Sequence, residues 1–111
     1  MTEFIVYTKP ISVNQAYRRL KKYGMYLTAE AQAYKDTIAW AAKSEGRIHE
    51  EPTVYICFTF GDKKKHDLDN YLKLTLDACN GILWEDDSHI QELIITKRYE
   101  KNNPSIYLKV T

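Results

Sequence analysis

The chain has only two cysteines, Cys57 and Cys79, among its 111 residues, and both sit inside apolar runs. Neither has companions at metal-ligand spacing, so a zinc-organised fold is excluded and reduced core residues are expected rather than a disulfide. No run approaches the ~20 apolar residues of a membrane-crossing helix. Glu3 and Lys9 interrupt the short apolar N-terminal stretch, so no signal peptide is expected, and the chain is expected to work in the cytoplasm. Net charge is nearly absent too: 16 Lys+Arg against 15 Asp+Glu leave +1, which by itself decides nothing about nucleic acid. Repeats, low-complexity segments and linkers are also missing. What remains is one expected domain, residues 1–111, of ordinary composition: 44% hydrophobic and 28% charged. Folding at this length removes somewhat over ~60% of the unfolded chain's surface from water, enough for one hydrophobic core.

The distribution of charge says more than its sum. From Lys9 to Ala29 the chain carries Lys9, Arg18, Arg19, Lys21 and Lys22 and no acid. The acids gather later, around Asp67–Asp69 and Glu85–Asp87. A basic segment beside an acidic cluster suits a protein that attracts phosphates and holds a cation. A solvated basic face is the plainer alternative.

Periodicity supplies the elements. Phe4–Thr8 reads as a first strand, ended by Lys9-Pro10. Residues 10–27 form a long, basic, tyrosine-bearing connection with a helical turn near Ala16, a length that is commonly functional. Thr28 is placed to cap a helix running to Glu45, with Leu27, Ala31, Tyr34, Ile38, Ala41 and Ala42 at helical spacing and Gly46 as its stop. Thr53–Phe60 accumulates apolar residues as a largely buried strand does. A second helix is expected over Leu68–Asn80, with Leu68, Leu72, Leu76 and Cys79, joined by Tyr71 and Thr75, as its apolar stripe. Gly81 is placed at its C′ position. Ile90–Arg98 and Ser105–Val110 complete the set. The order β-α-β-α-β-β predicts a two-layer α+β domain, a mixed four-stranded sheet packed on helices.

The informative stretch is His66-Asp67-Leu68-Asp69-Asn70, followed by Lys73 and then Glu85-Asp86-Asp87. An aspartate where a loop enters a helix is often an N-cap, which would account for one of Asp67 and Asp69 but not both. If the acids converge, two carboxylates about 4 Å apart repel by roughly 4 kcal/mol at an effective dielectric near 20. A divalent cation removes that cost. Oxygen-only ligands point to Mg²⁺ or Mn²⁺. Lys73 stands four residues after Asp69, on the same helical face. It can either stabilise charge on a phosphate or form a plain surface pair.

Beyond spacing, Asp67-Leu-Asp-Asn, Lys73, Asp77-Ala, Asn80-Gly, Trp84, Asp86-Asp87, Ile90 and Lys97 together resemble the RusA family of Holliday-junction resolvases from phages and prophages. Pro10, Ser12, Asn14, Tyr17-Arg18 and Tyr26-Leu-Thr are similar to that family's N-terminal segment. The resemblance implies a homodimeric, Mg²⁺-dependent endonuclease (Mn²⁺ a possible substitute) that places symmetric nicks across a four-way junction in recombination and repair. It further implies catalytic and metal-binding roles for Asp67, Asp69 and the second acid of the Asp86-Asp87 pair, with Lys73 as the essential lysine. Asp86 remains the alternative to Asp87. His66 departs from the family, where arginine is frequent, leaving Lys63–Lys65 to supply that positive charge.

Lys9, Asn14, Arg18, Lys22 and Lys65 are candidate DNA-backbone contacts. Tyr17, Tyr23 and Tyr26, within the basic connector, are candidates for contact with bases. His66 and His89 flank the acids as candidate proton carriers, with plain loop residues as the alternative. Trp84 is expected to pack beneath the site, and Trp40 to lie in the core or a dimer interface. Competing readings are a module that binds branched DNA without cutting it, or a nuclease for other nucleic-acid structures.

Overall fold

The computed structural model describes residues 1–20 and 24–111; side chains at 18–20, 24 and 25 also fall outside the description. The elements are β1 (Thr2–Val6), α1 (Val13–Ala16), β2 (Tyr17–Leu20), β3 (Gly24–Leu27), α2 (Ala29–Glu45), β4 (Thr53–Phe60), α3 (Asp69–Cys79), a 3-10 turn (Asp87–His89), β5 (Glu92–Tyr99) and β6 (Ser105–Val110). The four-stranded sheet has the order β1-β6-β4-β5. β4 pairs with β5 in parallel, while β6 is antiparallel to both β1 and β4. The sheet is therefore mixed, as expected. The connector holds more than one helical turn, since β2 and β3 pair as a separate antiparallel hairpin.

Local chemistry explains the ends. The Thr28 hydroxyl accepts from the Ala31 N–H (3.2 Å), starting α2 where the sequence predicts. Ser12 and Gln15 form a reciprocal capping box on the short α1. α3 ends at Asn80, with Gly81 taking the positive φ of 79° that favours glycine. Strand boundaries differ from expectation by two residues at β1 and β5, because edge strands carry weaker patterning than β4.

β4 is the buried strand: Val54, Ile56, Phe58 and Phe60 face the helices, and Cys57 and Thr59 are buried as well. Both cysteines are buried and unbridged, and burial pushes the Cys79 thiol up to about 12. The core joins these residues to Ile38, Leu74, Leu83, Trp84, Ile106 and Leu108. Trp40 is not part of it, at 72% exposure. On α3 the buried set is Tyr71, Leu74, Thr75, Leu76, Ala78 and Cys79, while Leu68 and Leu72 are only half-buried. Tyr71 and Thr75 belong to the buried face as expected, Tyr71 packing on Phe58 and Phe60 of β4 and Thr75 meeting α2. There Tyr34 and Thr75 share a buried 2.8 Å hydrogen bond, and the Thr75 hydroxyl also reaches the Tyr71 carbonyl at 3.1 Å.

Gly46 closes α2 against the segment that leads to the site. A Cβ there would lie 2.5 Å from the Ala42 carbonyl oxygen and would also overlap Leu83. Backbone cannot give way as a flexible side chain would. Gly46→Ala should therefore lower stability by about 1–3 kcal/mol, measured by urea unfolding.

Candidate active site

Asp67 and Asp69 lie where the loop after β4 enters α3. Asp69 is the first helical residue and Leu68 the N-cap, in helical backbone geometry with no side-chain capping bond. Neither aspartate therefore serves as the cap that chemistry at such a junction ordinarily calls for. Among the described residues no ion pair uses Asp67, Asp69 or Asp87. These three carboxylates hold up no visible part of the fold.

The helix also decides which of them can meet. Asp67 lies in the loop just before the N-cap Leu68, whereas Asp69 is the first residue of α3, so the two carboxylates belong to different local structures. Asp67 lies on the side of Tyr71, whose phenol is pushed up by burial and by the nearby Asp62 and Asp67 carboxylates. Asp69, Lys73 and Asp77 recur at four-residue intervals along another face. Among the described residues no three acids, histidines or cysteines come close enough to hold a metal ion. The convergence expected from the sequence is therefore not formed in the single chain. The candidate acids Asp67, Asp69 and Asp87 themselves offer only carboxylate oxygens, the donors a hard divalent cation takes.

Lys73 contacts Asp77 at 3.2 Å, one turn further along, rather than Asp69. That bond, and the charge of Asp77, raise the lysine above its usual value; Tyr17 and Asp87 lie close enough to raise it further. Lys73 is consequently a fixed cation at neutral pH, suited to meeting a phosphate and unsuited to removing a proton. Its surroundings bring together α3, the start of β2 and the 3-10 turn.

Asp87 reaches that position because the turn after α3 is anchored. Leu83 and Trp84 are fully buried, and the Trp84 indole N–H donates to Asn80 Oδ1 at 2.6 Å. Trp84 is part of the buried core. Beyond this plug, Asp86 caps the 3-10 turn, accepting from the Ser88 N–H at 3.0 Å. That bond holds its carboxyl below the usual range. Asp86 thus has a structural role, and Asp87, half-buried next to it, has none.

His66 is fixed on all sides. Its ring stacks on Phe60, 3.9 Å between centroids and 5° from parallel. Nδ1 pairs with the Tyr71 hydroxyl at 2.7 Å and Nε2 with Asp62 Oδ1 at 2.9 Å. The Lys97 ammonium, from β5, donates to its carbonyl at 3.1 Å. With both nitrogens engaged, His66 braces the end of the loop immediately before Asp67. No local signal in the sequence reveals this, because Phe60, Tyr71 and Lys97 come from three different elements. The Lys73–Asp77 pair, by contrast, could have been found from its i, i+4 spacing. His89 is exposed on the 3-10 turn.

Of the candidate DNA contacts, Lys9 is exposed and lines a cavity of about 400 Å³ beside His66 and Lys64. Asn14 is exposed on α1, and Lys65 is exposed in the loop before Asp67. Arg18 lies in β2, paired through its backbone with Tyr26, and its side chain is outside the description. Lys22 and Tyr23 lie outside the described residues. Tyr26 is 45% exposed.

The family described as Endodeoxyribonuclease RusA matches residues 8–111, nearly the whole chain. The chain belongs to the RusA family. Membership indicates endodeoxyribonuclease activity. A search among curated proteins found no match. Among the described residues no helix is long and apolar enough to cross a membrane.

One expected outcome concerns Asp62, the acid that braces His66. Hydrogen bonds from His66 and from the Lys64 N–H hold its carboxyl below the ordinary 3.8. Because the folded value is the lower one, its stabilising effect is complete above the unfolded value and disappears as pH falls through the folded one. Asp62→Asn should therefore be less stable than the parent at neutral pH, and the two unfolding curves should merge in acid below pH 3.8. A difference that persists unchanged in strong acid would show that this carboxylate is not the source.

Proposed function

We propose that this chain resolves Holliday junctions: a Mg²⁺-dependent endodeoxyribonuclease that nicks four-way DNA symmetrically, in recombination and repair. The observation that carries the reading is the face of α3 on which Asp69, Lys73 and Asp77 align, with Asp87 beside Lys73 and without structural duty. A cluster that repels phosphate is of no use to a protein that only binds DNA. It becomes useful once a cation and a scissile phosphate share it.

In this reading Asp67, Asp69 and Asp87, which the single chain alone does not gather, would hold Mg²⁺, a hard cation suited to carboxylate oxygens. When bound, the ion supplies a nucleophile from water and draws charge from the phosphate. Asp67 follows the braced His66, and Asp87 follows the buried Trp84 plug. Lys73 meets the developing negative charge as a permanent cation. Asp86 is assigned to the fold, which favours Asp87 as the third ligand. Lys9, Asn14, Arg18, Lys22 and Lys65 are assigned to the DNA backbone. A junction with two-fold symmetry needs two cuts, and a C₂ homodimer supplies one site for each. Work of this kind places the protein in the cytoplasm of a bacterial host, encoded by a phage or prophage.

The test uses labelled four-way junction, linear duplex and single strand, each with Mg²⁺ and with chelator. Symmetric nicks confined to the junction and dependent on Mg²⁺ are expected. Asp69→Asn and Asp87→Asn should lower the cutting rate about a hundredfold or more while junction binding in chelator survives. Asp86→Asn should keep most of the activity. Full cutting by the Asp87 variant, or loss confined to the Asp86 variant, would move the third ligand to Asp86.

A further inference from the structure

Lys97 carries part of the family resemblance, yet the chemistry above gives it no contact with DNA. It stands on one wall of a groove of about 340 Å³ between the Asp62–His66 turn and the end of β5. The stacked rings of Phe60 and His66 line the groove between these walls. Lys63 and Lys64 line one side, and Lys97, Arg98 and Tyr99 the other, all of them exposed. The Lys63 ammonium lies 4.9 Å above the Tyr99 ring. One carboxylate also lines the groove, that of Asp62, and it is already engaged by His66 Nε2 and by the Lys64 N–H. The potential left facing outward is positive.

Topology puts this groove beside the site. Phe60 and Tyr99 are register partners at the carboxyl ends of the parallel pair β4–β5. Ligands of parallel sheets gather at carboxyl ends. His66 borders the groove, and Asp67 is the next residue. A larger cavity of about 740 Å³ is lined by Glu50, Glu51, Glu85, His49 and His89. Its three glutamates would repel a nucleic acid.

We propose that the Lys63/Lys64–Lys97/Arg98 groove binds the phosphate backbone of one duplex arm of the DNA being cut. This rests on the junction-cutting reading and deepens it. Cations on an edge strand such as β5 also discourage sheet-to-sheet pairing. That purpose does not call for a matching pair of lysines on the facing turn. Nor does the groove suit a small anion, since its cations are exposed rather than enclosed. Backbone binding by exposed cations gives affinity that is independent of sequence and steep in salt, because each neutralised phosphate releases counterions.

The experiment measures binding of a four-way junction by the full-length protein in chelator, from about 50 to 200 mM salt. The slope of log affinity against log salt should shrink by roughly 2 in Lys63→Gln/Lys64→Gln and roughly 1 in Arg98→Gln. Lys43→Gln on α2, away from the groove, should keep the parent slope. Lys97→Gln removes a cation and the brace on His66 together, so it should lose slope and cutting rate alike. Thermal unfolding checks that each variant is folded. Parent slopes in the Lys63/Lys64 and Arg98 variants, beside a wild type that binds and cuts, would overturn the groove and leave the function standing. An equal loss in Lys43→Gln would overturn it as well, by showing a general charge effect. A wild-type chain that neither binds nor cuts the junction would overturn both.

Discussion

Two strands that pair in parallel cannot be joined by a tight turn, and the rest of this molecule follows from that constraint. β4 and β5 run side by side through eight register pairs, from Thr53↔Glu92 to Phe60↔Tyr99. The chain must return from one end of the pair to the other before it can begin β5. It does so through α3, whose buried face closes the core against α2. That crossover delivers every acid of the candidate site. Asp67 and Asp69 come at its start and Asp87 on the return, with the buried Leu83 and Trp84 between. A single long-range pairing thus ties the burial of β4 to the presentation of the carboxylates.

The two ends of the crossover are made reliable by different means. At the entry, His66 is held by a stacked ring, two side-chain hydrogen bonds and a lysine from β5. At the exit, hydrophobic burial does the work, with Trp84 spending its one polar group on Asn80. A polar loop needs partners because it has little apolar area to bury, whereas a turn that ends in leucine and tryptophan needs none beyond the core. Each carboxylate can then stay exposed without loosening the fold. Exposure is where acids close in sequence cost least, since water screens their repulsion.

Much of this was legible in the sequence. α2 was, because Thr28 caps it, Gly46 stops it and Ala31, Tyr34, Ile38 and Ala42 repeat on one face. β4 and β6 were too, as dense apolar runs with clear stops. The β2–β3 hairpin was not, since its residues are basic and aromatic without alternation, and pairing between strands is not a local property. The buried stripe on α3 was legible in Tyr71, Thr75, Leu76 and Cys79, whereas Leu68 and Leu72, expected within it, are only half-buried. At the site, the identities of the acids were visible and their mutual arrangement was not. Nothing in the sequence states that α3 starts at Asp69 with Leu68 as its cap, which leaves Asp67 in the preceding loop.

Lys73 is better read through Asp77 than through Asp69. A lysine flanked by acids four residues away on either side can pair with only one of them closely, and here it pairs with the later. Exposed helical pairs of this kind contribute only ~0.2–0.5 kcal/mol. Such a bond orients the ammonium without committing it. On the proposed reading, a DNA phosphodiester carries one negative charge, as a carboxylate does, but gains a second as its pentacoordinate transition state forms, and that added charge would draw Lys73 from Asp77 at little cost. The pair is therefore best understood as a resting position. It keeps the cation charged, and pointed along the face where the acids align, until an anion with a stronger claim arrives.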